Sequence, residues 1–289
     1  MSKRRRRTGI SEEAVMTIST ASPERADSTV RRRSSVTARR SEPDTVARPA
    51  AIAVDLGSGQ ARVWTAGNGE RTATTTGKAL GQAVPLLRRG RIVDDAGCVT
   101  LLTRLLEEHP DLPPGPPVVV ACRPVLTTAD DQARLRQVLT AAFTPARILL
   151  LDTVLAAAMG ADAASGVLLV VDIGEQLTEV AMIANGRVAA ARRIDLGTGD
   201  LGLGVSADLL ADIVTRLVAQ LEPEPGSRLA AMPPSAVLVV GGGAATAGLT
   251  RRLADHLHVP VRRVPAPLSA AVTGAGRAAL AAVRHPALG

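Results

Sequence analysis

Two stretches of the chain repeat the same order of apolar and polar positions. AIAVDLGSGQARVWTAGNG (51–69) is an apolar run that ends in an aspartate, followed by a glycine turn, a second strand and an Asn-Gly turn. LLVVDIGEQLTEVAMIANG (168–186) has the same order. Short apolar runs bounded by glycine turns are typical of β-strands, and Asn-Gly between two such runs is typical of a hairpin. The pattern predicts two related α/β halves, which we place at residues 50–162 and 163–289.

Segments with helical periodicity follow the strands in both halves. In TTADDQARLRQVLTAAF a threonine precedes an acidic first turn, and Leu135, Val138 and Leu139 share one face, which predicts a capped amphipathic helix. VSADLLADIVTRLVAQL is a similar segment with Ser206 as the predicted N-cap. Further helices are predicted within GRIVDDAGCVTLLTRLLEEHP, TVLAAAMGA, TAGLTRRLADHL and PLSAAVTGAGRAALAAV, and further strands within VVVAC, ARILLL and AVLVV. Strands that alternate with helices in this way predict the α/β class.

The positive charge of the chain is concentrated in residues 1–49. This segment has twelve basic and six acidic residues, a net charge of +6, whereas the whole chain has +7. It is rich in Arg, Ser and Thr and has almost no apolar periodicity, so we expect a disordered Arg-rich tail. The charge therefore indicates no specific nucleic-acid contact, and with 1% aromatic residues the chain lacks stacking side chains. A solvated arm and a contact with an anionic membrane surface both stay open for the tail.

The other composition features exclude several classes of protein. Cys98 and Cys122 are too few for a disulfide framework and lack metal-ligand spacing, so both are predicted to be reduced thiols. No apolar run is long enough to span a bilayer, and the first residues lack the apolar core of a secretory signal, so we expect a cytoplasmic protein. The histidines share no ligand spacing and are predicted to lie at the surface: His109, His256, His258 and His285.

Three glycine turns that follow apolar strands carry the candidate chemistry. Asp55 and Asp172 end the first two strands, and carboxylates at strand ends can position a hydrated Mg²⁺ between phosphate oxygens. Backbone N–H groups in the glycine turns can donate to phosphate from both sides of a cleft. The third turn, VVGGGAATAGL, places three glycines between a strand and a helix start, where backbone can approach a ligand closely.

These motifs, in this order, resemble those of the actin-like ATPase superfamily. AVDLGSGQARVW resembles its first phosphate motif, VVDIGEQLTEVAMI its second, and VLVVGGGAATAGLTRRLADHLHVPV its adenosine motif. Within the superfamily the chain is most similar to the rod shape-determining MreB/Mbl family, over roughly residues 50–283. The resemblance implies an actin-like, ribonuclease H-like fold of duplicated α/β domains around a nucleotide cleft, with ATP and Mg²⁺ as ligands.

The resemblance also implies a set of site residues. Asp55 and Asp172 would hold the metal through water. The residues implied to contact the nucleotide are Gly57, Ser58, Gly59, Gln60, Gly174, Glu175, Gln176, Thr178, Gly241, Gly242, Gly243 and Ala244. Where the family has a carboxylate pair before a helix, and uses one member to polarise the attacking water, this chain has Asp152 and Thr153. Asp152 is therefore the candidate catalytic residue, and we expect ATP hydrolysis to be weak or absent.

The chain also departs from the family pattern. Its segments between Gly69 and GRIVDD, and between RRIDLGTGD and the adenosine motif, are too short for the family's outer subdomains, which are expected to be largely missing. In the second phosphate motif, the glycine-rich turn and first threonine of the family become Glu175, Gln176 and Leu177. A carboxylate beside phosphates opposes binding unless a cation offsets it.

The resemblance implies an ATP-binding cytoskeletal protein that supports cell shape or cell-wall synthesis. Because the outer subdomains contribute to polymerisation in the family, the expected partners are filaments of a full-length MreB, or further copies of the chain. The expected location is the cytoplasm, or the inner face of the cell membrane if residues 1–49 bind lipid. Two alternatives stay open, which are a nucleotide-independent adaptor with the same fold and a sugar or acyl kinase of the same superfamily.

Overall fold

The computed structural model describes residues 49–79, 82–163, 166–221 and 237–285. These residues belong to one compact unit that runs from Val46 to Gly289. The predicted tail, apart from its last residue, lies outside the described ranges, so its disorder stays a prediction. The strands are β1 (Ala51–Leu56), β2 (Gln60–Thr65), β3 (Gly69–Thr74), β4 (Thr76–Ala79), β5 (Gln82–Pro85), β6 (Leu87–Arg88), β7 (Arg91–Ile92), β8 (Val118–Arg123), β9 (Arg147–Asp152), β10 (Leu168–Ile173), β11 (Thr178–Ala184), β12 (Arg187–Ile194), β13 (Val237–Val240) and β14 (Val261–Arg263). The helices are α1 (Asp95–Glu107), α2 (Ala129–Phe143), α3 (Thr153–Gly160), α4 (Ala207–Ala219), α5 (Leu249–Leu257) and α6 (Ala270–Arg284).

Two five-stranded sheets have the same topology. The first has the order β3-β2-β1-β8-β9 and the second the order β12-β11-β10-β13-β14. In each sheet three strands form an antiparallel meander, and two further strands extend it in parallel. The central strands β1, β8, β10 and β13 are buried apolar runs because parallel strands are covered on both faces. The two predicted hairpins are therefore equivalent elements of two similar sheets.

Helices α1 and α2 cover the outer face of the first sheet. Their buried side chains, among them Leu102, Leu105 and Leu139, form a core with residues of β1, β2 and β8. α1 starts at Asp95 because the side chain of Asp94 accepts a hydrogen bond from the Gly97 amide. The predicted threonine cap of α2 is confirmed by Thr128, which accepts from the Asp131 amide.

A second layer, formed by α3 and α6, lies between the two sheets. The core at this level contains residues of the first sheet, such as Ala53 and Val120, together with residues of the second, such as Val170 and Leu238. α6 comes last in the chain but packs against β1, β2 and β8 of the first sheet. Trp64 of β2 contacts this helix, since a Cβ on Gly276 would lie 2.7 Å from the indole ring. One core is therefore shared between the sheets.

The helices α3 and α6 meet backbone to backbone. A Cβ on Gly274 of α6 would overlap the carbonyl oxygen of Ala156, and a Cβ on Gly160 of α3 would overlap the carbonyl oxygen of Ala270. The overlap is reciprocal, and both neighbours are backbone atoms, which cannot rotate away. Glycine at these two positions is required for the close approach.

The outer segments are short. Between β3 and α1 the described residues form two small antiparallel pairs, β4 with β5 and β6 with β7. Between β12 and β13 the described chain contains one turn of 3₁₀ helix, Thr198–Asp200, and the helix α4. The predicted Ser206 cap of α4 is confirmed, because its side chain accepts from the Leu209 amide. Within the described ranges, none of the helices combines the length and apolar character that crossing a bilayer requires.

One histidine prediction is wrong. His109 is only 5% exposed. Its ring nitrogens contact the Thr65 hydroxyl at 2.9 Å and the Val63 carbonyl oxygen at 3.3 Å. Burial lowers the pKa of His109, so the neutral ring donates from Nε2 to the carbonyl and accepts from the hydroxyl at Nδ1. Both cysteines are free, in agreement with the predicted reduced thiols, and both are buried.

Because α3 and α6 touch at Gly274, alanine at this position should destabilise the protein, although helix propensity alone favours alanine over glycine. Alanine is the better helix former by about 1 kcal/mol, but we expect Gly274→Ala to lower the free energy of unfolding by about 2–4 kcal/mol, because the helices must separate. Urea denaturation monitored by circular dichroism measures this change. The control is Ala281→Gly, at an exposed position of the same helix, with an expected loss of about 1 kcal/mol. A Gly274→Ala variant as stable as the parent chain would contradict the backbone contact.

Candidate functional site

A cavity of about 410 Å³ opens between the two hairpin turns and the glycine turn after β13. Its volume is in the range typical of sites for cofactor-sized ligands. The structure brings most of the sequence-predicted residues to this cavity. The predicted residues that line it are Asp55, Gly57, Ser58, Gly59, Gln60, Asp172, Gly174, Glu175, Gln176, Gly241 and Gly242.

Four predicted residues do not line the cavity. Thr178 is buried and donates from its hydroxyl to the Leu196 carbonyl at 2.7 Å. Gly243 packs on the side chain of Ile173, and the neighbouring Ala244 belongs to the core below α4 and α5. Asp152 forms an ion pair with Arg123 at 3.1 Å. In its place, Thr153 is the residue of this segment that lines the cavity.

The turns of the two hairpins have the same hydrogen bond. Gly57 donates its N–H to the Gln60 carbonyl at 3.0 Å, and Gly174 donates to the Leu177 carbonyl at 2.8 Å. The strand-end aspartates also occupy equivalent registers, since Asp55 lies opposite Arg62 and Asp172 opposite Glu179. The sequence repeat is thus a repeat of local geometry.

The first hairpin places a carboxylate and a guanidinium on the cavity floor. Arg62 is 3.8 Å from Asp55 and 3.1 Å from Glu70, measured between the closest side-chain nitrogen and oxygen atoms. Burial raises the pKa of Asp55, the charge of Arg62 opposes this rise, and the charge of Glu70 adds to it. Arg62 therefore divides its charge between two carboxylates and neutralises neither fully.

The second hairpin adds two carboxylates to the floor. Burial and the nearby charge of Asp55 raise the pKa of Asp172 to about 7. Glu179 accepts a hydrogen bond from the Val125 amide at 2.5 Å, and burial raises its pKa well above the usual range. Sequence analysis missed Glu179, although a glutamate in the otherwise apolar strand TEVAMIA was a signal. The charge of Arg62 acts on both Asp55 and Asp172, and that of Arg193 acts on Glu179, so the floor has more carboxyl groups than guanidinium groups.

Cys122 also lines the cavity floor. Burial and the three carboxylates around it raise the pKa of the Cys122 thiol well above its usual value. The thiol is therefore neutral and unreactive, and the predicted reduced state fits this environment.

Arg89 joins the two sides of the cavity mouth. It lies in the tight turn between β6 and β7 with φ of 53°. Its guanidinium donates two hydrogen bonds to the Asp200 carboxylate, both at 2.9 Å, and one to the Asp195 carbonyl at 2.7 Å. Its backbone N–H donates to the side-chain carbonyl of Gln176 at 3.1 Å. These hydrogen bonds connect the second hairpin turn and the loop after β12 to the turn between β6 and β7. In the sequence, only the pattern RRG indicated a turn at this position.

Comparisons with known proteins agree with this geometry. The family model described as MreB/Mbl protein matches residues 40–202. The structure of MreB5 of Spiroplasma citri bound to ADP has a TM-score of 0.69 at 16% identity, covering 83% of this chain and 99% of that one. The ethanolamine utilization protein EutJ from Carboxydothermus hydrogenoformans has a TM-score of 0.59 at 18% identity, with 79% and 89% covered. PilM in the PilM–PilN type IV pilus biogenesis complex has a TM-score of 0.59 at 15% identity, and the match covers 81% of this chain and 99% of that one. A search of curated protein sequences gives no match.

At such low sequence identities, the likeness to the solved structures establishes the fold alone. It confirms the predicted actin-like α/β fold with short outer segments. The family follows from the sequence match, which extends over more than half of the residues and includes both hairpins. The chain belongs to the MreB/Mbl family of actin-like proteins.

Proposed function

We propose that this chain binds ATP with Mg²⁺ in the cavity and acts as a cytoskeletal protein that supports cell shape or cell-wall synthesis. It would do so by joining filaments of a full-length MreB, or filaments of its own copies. The observation that carries the proposal is the pair of equivalent hairpin turns that face one cavity, each preceded by a half-buried aspartate. The structure of MreB5 of Spiroplasma citri bound to ADP, and a second one bound to AMPPNP, support nucleotide binding by proteins with this fold.

The cavity offers different surroundings to the two ends of a nucleotide. Ser58 and Gly59 lie in the first turn, where backbone N–H groups can donate to phosphate oxygens. At the other side Pro267, Leu268 and Ala271 provide apolar surface beside the glycine turn. The flat face of a nucleotide base would fit beside these residues, with the phosphates directed to the hairpin turns.

The floor of the cavity fits a divalent cation. Among the described residues, no group of three or more His, Cys, Asp or Glu side chains is placed to hold a metal ion directly. Asp55 and Asp172 would instead hold Mg²⁺ through water. Burial raises the pKa of both carboxyl groups, and the charge of Arg62 opposes this rise only in part. When bound, the cation neutralises charge on the phosphates and on the two aspartates.

At the position where the family has its catalytic carboxylate, the chain favours binding over hydrolysis, because Thr153 faces the cavity there. A carboxylate can act as a general base for water, whereas the hydroxyl of Thr153 cannot do so at neutral pH. Asp152, which precedes Thr153 in the sequence, is paired with Arg123 and does not line the cavity. We therefore propose that the chain binds ATP and hydrolyses it weakly at most.

A nucleotide-independent adaptor is the second candidate. The side chain of Glu175 packs against Gly59 between the two turns, in the space that phosphates would need. PilM, which has the same fold, takes part in a complex with PilN. Calorimetric titration with ATP, with and without Mg²⁺, separates the two candidates, because an adaptor of this kind shows no ATP binding under either condition.

Asp172→Asn should have opposite effects on binding and on stability. It should weaken Mg²⁺-dependent ATP binding at least tenfold, because a carboxylate that positions the cation is lost. It should also raise the free energy of unfolding of the nucleotide-free protein by about 1–3 kcal/mol at pH 8, because each unit of pKa shift corresponds to about 1.4 kcal/mol. A carboxylate with a raised folded-state pKa destabilises the fold above that pKa, so the gain should shrink as the pH falls below about 7.

Calorimetry and urea denaturation in the presence of a chelator measure these two effects. Asp255→Asn is the matched control, since Asp255 is exposed on α5, and it should change neither quantity beyond a few tenths of a kcal/mol. An Asp172→Asn variant that is more stable and binds ATP as the parent does would show that the aspartate has no role in the site.

Filament joining can be tested by sedimentation. We expect the chain to pellet with polymerised full-length MreB in the presence of ATP, and to stay largely in the supernatant alone, because its outer segments offer little contact surface. Pelleting alone would indicate filaments of its own copies. Absence from the pellet under both conditions would contradict the filament proposal and leave the adaptor.

The tail of residues 1–49 would add an electrostatic contact with the inner face of the membrane. Its net charge of +6 should give binding to vesicles that contain anionic lipid, and this binding should weaken as salt shortens the Debye length from about 10 Å at 0.1 M to about 3 Å at 1 M. Vesicle flotation of the full chain and of a chain without residues 1–49 measures this. A tailless chain that still floats would locate the lipid contact in the folded part.

A further inference from the structure

Glu175 lies between the two sides of the cavity mouth. A Cβ on Gly59 of the first turn would overlap the Glu175 carboxylate and lie 3.3 Å from the Glu175 Cβ. On the other side, a Cβ on Gly199 would lie 3.1 Å from the Glu175 Cγ. The side chain therefore bridges the gap between the first hairpin turn and the loop after β12.

The backbone that carries Glu175 is fixed from two directions. Its carbonyl accepts a hydrogen bond from the Gly199 amide at 2.7 Å, and the carbonyl of Gly174 accepts from the Thr198 amide at 2.9 Å. On the opposite side, Arg89 holds the backbone and side-chain carbonyls of Gln176. These hydrogen bonds hold the turn at the cleft. The charge of Glu175 therefore leaves the gap only when its side chain rotates.

No cation of the described chain neutralises this carboxylate. Among the described residues, the ion pairs at the cavity involve other partners, with Arg62 paired to Asp55 and Glu70, and Arg89 paired to Asp200. The Glu175 carboxylate thus lies against the first hairpin turn, whose N–H groups would otherwise donate to a phosphate. The side chain is also exposed, so it can rotate into solvent at moderate cost.

A nucleotide whose base binds at the apolar side of the cavity would extend its chain of phosphates towards the hairpin turns. With its base beside Pro267 and Leu268, such a ligand would direct its last phosphate to the gap between Gly59 and Gly199. This gap is where Glu175 lies. The repulsion between the carboxylate and a phosphate is greatest for that last phosphate, because electrostatic energy falls with distance.

We propose that Glu175 is a specificity determinant that makes this cavity bind nucleoside diphosphates in preference to triphosphates. The proposal rests on the nucleotide site proposed above and identifies the ligand class of that site. The carboxylate takes the place of the terminal phosphate, so a diphosphate fits beside it. A triphosphate must first displace it and then bind next to its charge.

Calorimetric titration with ADP and with ATP, both with Mg²⁺, tests the proposal on the full chain. The wild-type chain should bind ADP more tightly than ATP by about tenfold or more, the order expected for one partly screened like-charge contact. Glu175→Gln keeps the size of the side chain and removes its charge, and should reduce this preference about tenfold. Glu107→Gln removes the same charge from the exposed end of α1 and should leave the preference unchanged.

The outcomes separate this proposal from the nucleotide site itself. If both nucleotides bind and Glu175→Gln leaves their affinity ratio unchanged, or improves both equally, the role of Glu175 in selection is overturned and the site stands. If neither nucleotide binds to the wild-type chain or to the variant, the site itself is wrong and the proposal fails with it. Circular dichroism melting of each variant shows whether the fold is retained.

Discussion

The contact between the backbones of α3 and α6 is the constraint on which the rest of the structure depends. Gly160 and Gly274 allow the two helices to touch without intervening side chains, and the helices in turn fix the separation of the two sheets. The same helices form the back wall of the cavity, where Thr153 and Ala157 of α3 meet Ala271 of α6. The width of the cleft between the hairpin turns therefore follows from how closely two helices pack at the centre of the molecule.

The cavity is a place where the chain gives up stability. Asp172 and Glu179 both have raised pKa values because they are buried beside other carboxylates, and Arg62 is shared between Asp55 and Glu70. Nothing in the packing of the sheets requires these charges, since apolar residues at such positions would be more stable. Concentrated charge that opposes folding is typical of a site shaped for a ligand.

Sequence could predict those features that depend on neighbouring residues in the chain. The two hairpins, the caps at Thr128 and Ser206, and the strand-end position of Asp55 all follow from local pattern and turn chemistry. The features that it missed depend on partners distant in sequence. His109 is buried because Thr65 and Val63 lie under the end of α1, and Asp152 turns from the cavity because Arg123 neighbours it in the adjacent strand.

The packing of α6 on the first sheet has a consequence for synthesis of the chain. Strand β1 precedes the other described strands and helices in the chain, yet part of its cover is the last described helix. Until α6 has emerged, β1, β2 and β8 expose an apolar face that includes Ala53 and Val120. Contacts of such long sequence separation form slowly, and apolar surface exposed during the wait promotes aggregation. A nascent chain that stops before α6 is therefore a substrate for chaperones or proteases, and the order of translation sets when this protein can first become functional.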